Sequence, residues 1–464
     1  MRHSRRVSSA DRLQQAIDRT ADVNPQIAAV CTPSPDALDD ARRRDTEEPR
    51  SALHGIPVLV KDNIDTAGLP TTAGSLALAD VPPPSRDATL VRRLRDAGMV
   101  LLGKTNLSEW ANFRDGNSVS GWSAYGGLTR NPYALNRSAG GSSSGSGAAV
   151  AAGITPFAIG SETDGSITCP AAFNGCVGLK PTVGLVPRDG IIPISHSQDS
   201  PGPLTATVAQ SAALLAVLTG QAYDAAVGQE RLRGVRIGVP RKTFWGYSDH
   251  ADGPAERALQ LLSEAGATIV DNADLPAELG WQDELLVMLA EFRAGLADYL
   301  RTRSGDGPRT LADIVQFNKA HAAEELPHFG QSLLEEALVA PDLNDRRYLD
   351  ALERCRAQSR GGGIDAVLRE HDLTALVSPA CPPAFLIDHV NPEHTAGACS
   401  TPAAQAGYPL LTVPSGVAAG LPVAVTFWGT AHSEQSLLRI AAAYEAARDG
   451  DTGPLPAPAF VPFV

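Results

Sequence analysis

No two of the six cysteines (Cys31, Cys169, Cys176, Cys355, Cys381 and Cys399) stand in a CxxC unit or beside a histidine cluster. That spacing argues against a zinc site and a dense disulfide framework, and predicts free thiols in a reducing, cytoplasmic setting. No stretch approaches the roughly 18 consecutive apolar residues of a membrane-spanning helix. The residues after Arg2, Arg5 and Arg6 offer no apolar segment of the length an export signal requires. Positive charge is also not in excess. A formal net charge of -13 disfavours binding to nucleic acid or anionic lipid, both of them polyanions. Aromatic residues are scarce, at 5% of the chain, so any local concentration of them carries information.

What is present is ordinary globular material: 464 residues, 43% hydrophobic and 20% charged. Length alone allows one large α/β unit or two to three smaller domains. Apolar residues at three- and four-residue spacing predict a helix from Ser8 and Ser9 through Leu13, Ala16 and Ile17. Residues 55–60 read as a short buried strand that closes on Lys61-Asp62-Asn63. A helix over 88–97, stopped by Gly98, leads into a strand over 99–102. The alternation returns with helices over 208–218 and 255–265 and strands over 235–239 and 268–270. Strands over 373–377, 410–413 and 422–427 precede a last helix near 433–446. The stretch from about 281 to 369 is mainly helical and reads as a covering layer. Strands recurring at both ends, with helices between them, favour one α/β core spanning residues 1–464. The segment 106–127 concentrates Trp110, Phe113, Trp122 and Tyr125, interleaved with Asn112, Arg114 and Asn117. Such a mixture suits a pocket for a peptide-like ligand and, equally, ordinary core packing.

The chemistry lies in two serine loops and a lysine. Gly140-Gly141-Ser142-Ser143-Ser144-Gly145-Ser146-Gly147 has a linker's composition, but the helix-forming Ala148-Ala149-Val150-Ala151-Ala152 follows it directly. The run therefore sits at a helix N-terminus, which favours negative charge. It lacks the Gly-Lys-[Ser/Thr] ending of a phosphate-binding loop. It does match G-x-S-x-G at Gly141, Ser143 and Gly145, a pattern that would make Ser143 a nucleophile with His432 or His394 as base. That reading needs an apolar strand leading in, whereas residues 129–139 contain Asn131-Pro132 and Asn136-Arg137. The second loop, Thr163-Asp164-Gly165-Ser166, is a turn after a predicted strand over 157–159. If Ser166 attacks a carbonyl, the amides of Thr163, Asp164, Gly165 and Ser166 converge on the developing oxyanion, a contribution of about 3 to 4 kcal/mol per donor. Lys61 alone reads as a surface charge. With both serine loops it supplies a base that does not depend on histidine, and the set points to acyl transfer on an amide or ester.

These residues resemble the amidase signature family, whose hallmark is a Gly/Ser-rich region with a Ser-Ser-Lys triad. The resemblance runs through the strand ending at Lys61, Gly103-Lys104-Thr105-Asn106, Asn131-Pro132, both serine loops, Gly178-Leu179-Lys180-Pro181-Thr182 and Gly407-Tyr408-Pro409. It implies a single large α/β domain with a mixed central sheet covered by helices on both faces. It also implies Ser166 as nucleophile, Ser142 as proton relay across a cis peptide, and neutral Lys61 as base. Ser166 follows Ser142 by 24 positions, the interval of the family motif. For Lys61 to accept a proton near neutrality, burial must lower it from its usual value of about 10.4.

Four segments look closest to bacterial peptide amidases: 141–146, 161–166, 106–114 and 188–193. The commoner family pattern has Gly at 164 and Arg at 168, where this chain has Asp164 and Thr168. Phe385 lies in a variable stretch near the expected substrate site; with Trp110, Phe113, Arg114, Trp122 and Tyr125 it completes the candidate substrate contacts. The implied reaction hydrolyses a primary carboxamide, such as a peptide C-terminal amide, to carboxylate and ammonia through an acyl-serine, with no metal and no cofactor. The alternatives are the A-type component of a tRNA-dependent amidotransferase, an amidase or esterase acting on small substrates, and a scaffold kept only for binding.

Overall fold

The computed structural model describes residues 7–223, 231–275 and 279–463. Its strands are β1 (Val30–Pro33), β2 (Pro57–Lys61), β3 (Val100–Thr105), β4 (Trp122–Ser123), β5 (Gly127–Leu128), β6 (Phe157–Glu162), β7 (Val177–Lys180), β8 (Ser200–Thr205), β9 (Arg236–Val239), β10 (Thr268–Asp271), β11 (Ala375–Pro379), β12 (Leu410–Ala418) and β13 (Leu421–Trp428). Among the described residues, β4 and β5 pair apart and the other strands form one 11-stranded sheet in the order β1-β3-β2-β6-β8-β7-β12-β13-β11-β9-β10. Strands β3, β2 and β6 run parallel, as do β11, β9 and β10, while the strands between them pair antiparallel. The fold is a single large α/β domain with a mixed sheet, as the family resemblance implies.

Side chains that alternate along each strand separate two apolar layers. Val58 and Val60 of β2 join Phe157 and Ile159 of β6 on one face, packed by the helices Thr89–Asp96, Val208–Thr219, Asp249–Glu264 and Glu434–Asp451. Leu59 and Ala158 point the other way, toward the helices Ser9–Ile27 and Ser144–Ala151. Lys61 lies two residues after Leu59 and so shares the face that holds the Gly/Ser helix. Between 281 and 370 lie the helices Trp281–Thr302, Leu311–Ala320, Ala322–Glu325, Ser332–Leu338, Arg346–Ser359 and Asp365–Glu370. The first of them packs Leu289, Phe292 and Leu296 over Trp110, Phe113, Ile192 and Ile194. Among the described residues, no helix is long and apolar enough to cross a membrane.

The structure departs from the sequence reading in three instructive places. Strand β6 continues three residues beyond the predicted 157–159, so Ser161 and Glu162 are strand residues. Strand β8 was unforeseen because it contains Pro201 and Pro203, which cannot donate to a ladder. They are tolerated because β7 pairs with β8 only at Thr205 and Leu204, beyond both prolines. The Gly/Ser run is less a loop than expected, since the helix Ser144–Ala151 begins inside it. A Cβ at Gly145 would fall 2.3 Å from Ala29 O and 2.6 Å from Asn106 O. This glycine serves close packing rather than flexibility.

Candidate active site

Strand β2 carries Lys61 to the end of its buried row, and β6 beside it carries Ser161. The register Val60↔Ile159 sets the distance between them. Lys61 Nζ donates to Ser142 Oγ at 2.7 Å, Ser161 O at 3.1 Å and Ser161 Oγ at 3.0 Å. Lys61 is 0% exposed, and no carboxylate among the described residues pairs with it directly. Burial pushes it down to about 7, against the opposing pull of Asp199 and Glu162. Asn63 Nδ2 also donates to Ser161 Oγ, at 3.0 Å. An amine poised between charged and neutral at physiological pH, set on a serine hydroxyl, is chemically able to take that hydroxyl's proton.

Ser142 is held from both sides. Its peptide bond with Gly141 is cis, and its carbonyl accepts from Ser108 N at 3.1 Å. The next residue ties the two serine loops together, as Ser143 N donates to Ser166 O at 3.1 Å. Ser143 Oγ is occupied by β6, donating to Ser161 O at 3.0 Å and accepting from Ser161 N at 3.1 Å. The elbow reading of Ser143 therefore loses its free hydroxyl. His432 and His394 are exposed and make no hydrogen bond to the serine run among the described residues. Ser166 is 7% exposed. Neither its hydroxyl nor the amides of residues 163–166 donate to any group among the described residues. Gly165 turns this loop with φ at +79°, a conformation that favours glycine.

Both departures from the commoner family pattern find partners. Thr168 donates from Oγ1 (3.1 Å) and N (2.8 Å) to Glu162 Oε2, which also accepts from Ile167 N at 2.7 Å. The Asp164 carboxylate accepts from the hydroxyls of Ser400 and of Thr401, the latter at 2.7 Å, and burial raises its pKa. The loop before Ser166 is thus tied to the start of the helix Thr401–Ala406. A third carboxylate, Asp199, accepts from Thr163 Oγ1 at 2.6 Å, Ile194 N at 2.9 Å and Ser195 N at 3.0 Å. Burial raises it to about 6. Sequence reasoning missed Asp199 outright, and it named Asn63 beside Lys61 without giving it a role. Ser161 stood inside a quoted motif, yet only the strand register reveals its contact with Lys61.

The expected substrate residues divide by burial. Trp110 and Phe113 pack into the apolar cluster under the covering helices, and Phe113 meets Phe292 with ring centroids 5.2 Å apart. Arg114 is 0% exposed and donates to Glu109 Oε1 at 2.7 Å, Glu325 O at 2.6 Å and Phe329 O at 3.2 Å. It stacks over Phe329 and Trp122, so its charge already binds the covering layer to this segment. Residues Trp110, Ala111 and Asn112 hold left-handed φ values of 51°, 55° and 70°, which side-chain-bearing residues adopt at a cost. Tyr125 is half-buried, its hydroxyl sharing a hydrogen bond with Thr32 at 3.2 Å. Phe385 is half-buried against Phe173. A cavity of about 770 Å³, lined by Asn63, Ser161, Thr163, Ile192, Asp199 and Tyr299 among others, reaches the Lys61 side of the site. None of the six expected residues lines it.

Known proteins resemble this chain along nearly its whole length. The family model described as Amidase matches residues 11–438. The native peptide amidase from Stenotrophomonas maltophilia superposes with a TM-score of 0.90 at 47% identity, over 96% of this chain and 95% of that one. A probable amidase of Arabidopsis thaliana is 34% identical over 96% of this chain and 88% of its own length. The A-type component of the glutamyl-tRNA(Gln) amidotransferase of Symbiobacterium thermophilum is 34% identical over 95% and 93%. A sequence match along nearly the whole length, joined to a lysine buried on the Gly/Ser loop, makes this chain a member of the amidase family, a hydrolase of amide C–N bonds.

Proposed function

We propose that this chain hydrolyses C-terminal peptide amides to the free peptide acid and ammonia. The observation that carries the mechanism is the 2.7 Å contact between buried Lys61 Nζ and Ser142 Oγ. Neutral Lys61 takes the Ser142 proton as Ser142 takes that of Ser166, and Ser166 Oγ attacks the carboxamide carbon. The resulting oxyanion faces the amides of Thr163, Asp164, Gly165 and Ser166, none of which has another acceptor among the described residues. Collapse breaks the C–N bond, the proton returns through Ser142 to the departing nitrogen, and ammonia leaves. Water then attacks the acyl-Ser166 ester, giving its proton back along the same path. Neither step calls on a metal or cofactor.

The peptide assignment draws on the similarity to the Stenotrophomonas enzyme. We assign contact with the acyl portion to half-buried Tyr125 and Phe385. Trp110 and Phe113 are buried under the covering helices, and Arg114 and Trp122 pack with Phe329, so these four support the segment rather than contact the substrate. The test is ammonia release from a panel of C-terminally amidated peptides and small amides by the purified chain, with Ser166→Ala as control. Release from the peptides that depends on Ser166 is the expected result. Release from small amides alone removes the peptide assignment and leaves the triad.

The likeness to the A-type component of an amidotransferase supports a second reading, in which the same acyl chemistry supplies ammonia to a partner protein. Turnover of peptide amides by the isolated chain is the result that separates the two.

A further inference from the structure

Cys169 is the second residue of the helix Thr168–Asn174 that follows Ser166, and Cys381 lies two residues beyond the end of β11 at Pro379. The two pack into one apolar cluster with Ala172, Phe173, Ala384 and Phe385. Cys169 also lies under the first serine loop, where a Cβ at Gly140 would come within 3.0 Å of its sulfur. Its amide donates to Gly165 O at 2.7 Å. One residue therefore packs its thiol against the backbone that carries Ser142 and hydrogen-bonds, through its amide, the backbone that carries Ser166. Cys381 opens the loop that ends at Ser400 and Thr401, the two residues that hold Asp164.

We propose that Cys169 and Cys381 form an oxidation-sensitive thiol pair whose disulfide restrains the active site, with a peroxide as oxidant. Their exposures fix the order of events. Cys169 is half-buried and Cys381 is buried, so Cys169 meets the oxidant first. Cys381 is enclosed in the same apolar cluster as Cys169, so it meets the sulfenic acid formed there rather than the oxidant itself and takes the second, resolving step. In the first step the Cys169 thiolate attacks a peroxide oxygen and the O–O bond breaks. The products are Cys169 sulfenic acid and one water, which takes up the thiol proton. In the second, the Cys381 sulfur attacks that of Cys169, the S–O bond breaks, and a second water leaves with the Cys381 proton. Two thiols lose two electrons in all, and one hydrogen peroxide becomes two waters. Closure ties the helix after Ser166 to the Cys381 loop and so constrains the residue that packs against Gly140 and hydrogen-bonds Gly165. A displacement near 1 Å at the reacting groups lowers turnover on the order of a hundredfold.

The effect on turnover rests on the amidase reading above, but detection of the disulfide does not. Purified full-length protein is treated with hydrogen peroxide, alkylated, digested and mapped by mass spectrometry, with ammonia release followed in parallel. The expected result is a Cys169–Cys381 disulfide with about a hundredfold loss of activity that dithiothreitol restores. Activity of Cys169→Ala should resist peroxide. A map that pairs Cys381 with Cys399, or shows no pair, overturns the proposal whether or not any amide is turned over, and whether or not the variant folds. A Cys169–Cys381 bond with undiminished ammonia release overturns its restraining role.

Discussion

Two lysines on neighbouring strands, Lys61 on β2 and Lys104 on β3, are both 0% exposed, yet their surroundings differ in kind. Lys104 Nζ donates to Ile64 O at 2.6 Å and Thr71 Oγ1 at 3.1 Å, and has the Asp62 carboxylate 3.5 Å away. Among the described residues, Lys61 has only hydroxyls and a carbonyl in direct contact, and its charged neighbours Asp199 and Glu162 act from further off. Burial lowers both, but for Lys104 the paired Asp62 leads the opposition. Burial alone does not make a base. A base results when burial is combined with neutral hydrogen-bond partners, because a direct ion pair would restore the charge that burial removes.

Replacement of each lysine by methionine breaks the comparison most sharply. Lys61→Met should lower turnover by about 10⁴-fold or more while the protein stays at least as stable as the wild type in urea unfolding. Lys104→Met should do the reverse. It leaves Asp62 buried and uncompensated, at a cost of about 3 to 5 kcal/mol, whereas turnover per folded molecule changes little. Adding Asp62→Leu to Lys104→Met should recover most of that loss, since the cost lies in the unpaired charge. A double variant no more stable than the single would refute the ion-pair account of Lys104.

The pH dependence sharpens the same contrast. Lys61 sits near 7 when folded and near 10.4 when unfolded. Below about pH 7 it is charged in both states, and the cost of burying that charge is fully present. Between about 7 and 10.4 the unfolded chain holds the extra proton, so Lys61 makes stability rise with pH. The stability advantage of Lys61→Met should therefore be greatest at acid pH and shrink toward pH 10. Over the acid side kcat/KM of the wild type should rise about tenfold per pH unit and level off near 7. The smallest effect is expected from Ser161→Ala. It removes one acceptor of the ammonium and leaves the Ser161 carbonyl, so the acid limb should move to lower pH with a loss in kcat/KM below about tenfold. An upward shift of the limb would show that Ser161 favours the neutral amine instead.

Much of this was legible because the relevant signals are local. The apolar run before Lys61 is a strand by pattern, and the two serine loops announce themselves by composition. What the sequence hid depends on contacts between distant segments. Strand β8 is disguised by its prolines, and their tolerance follows from where β7 stops pairing. Asp199 lies in a polar loop with no pattern of its own and gains meaning only when folding sets it on Thr163. The aromatic segment misleads for a related reason. Its composition suits a ligand and a core equally, and only the packing of Phe113 on Phe292 and of Arg114 on Glu109 and Phe329 shows how much of it supports the covering helices.

The chain contains only five lysines, Lys61, Lys104, Lys180, Lys242 and Lys319, which makes the protonation state of each one measurable. Folded protein with isotope-labelled lysine side chains, titrated by NMR and assigned with Lys61→Met, tests most directly whether Lys61 is a base near neutrality. The account predicts a Lys61 midpoint close to 7, whereas a midpoint near 10 would leave Lys61 charged at physiological pH and contradict its role as the base.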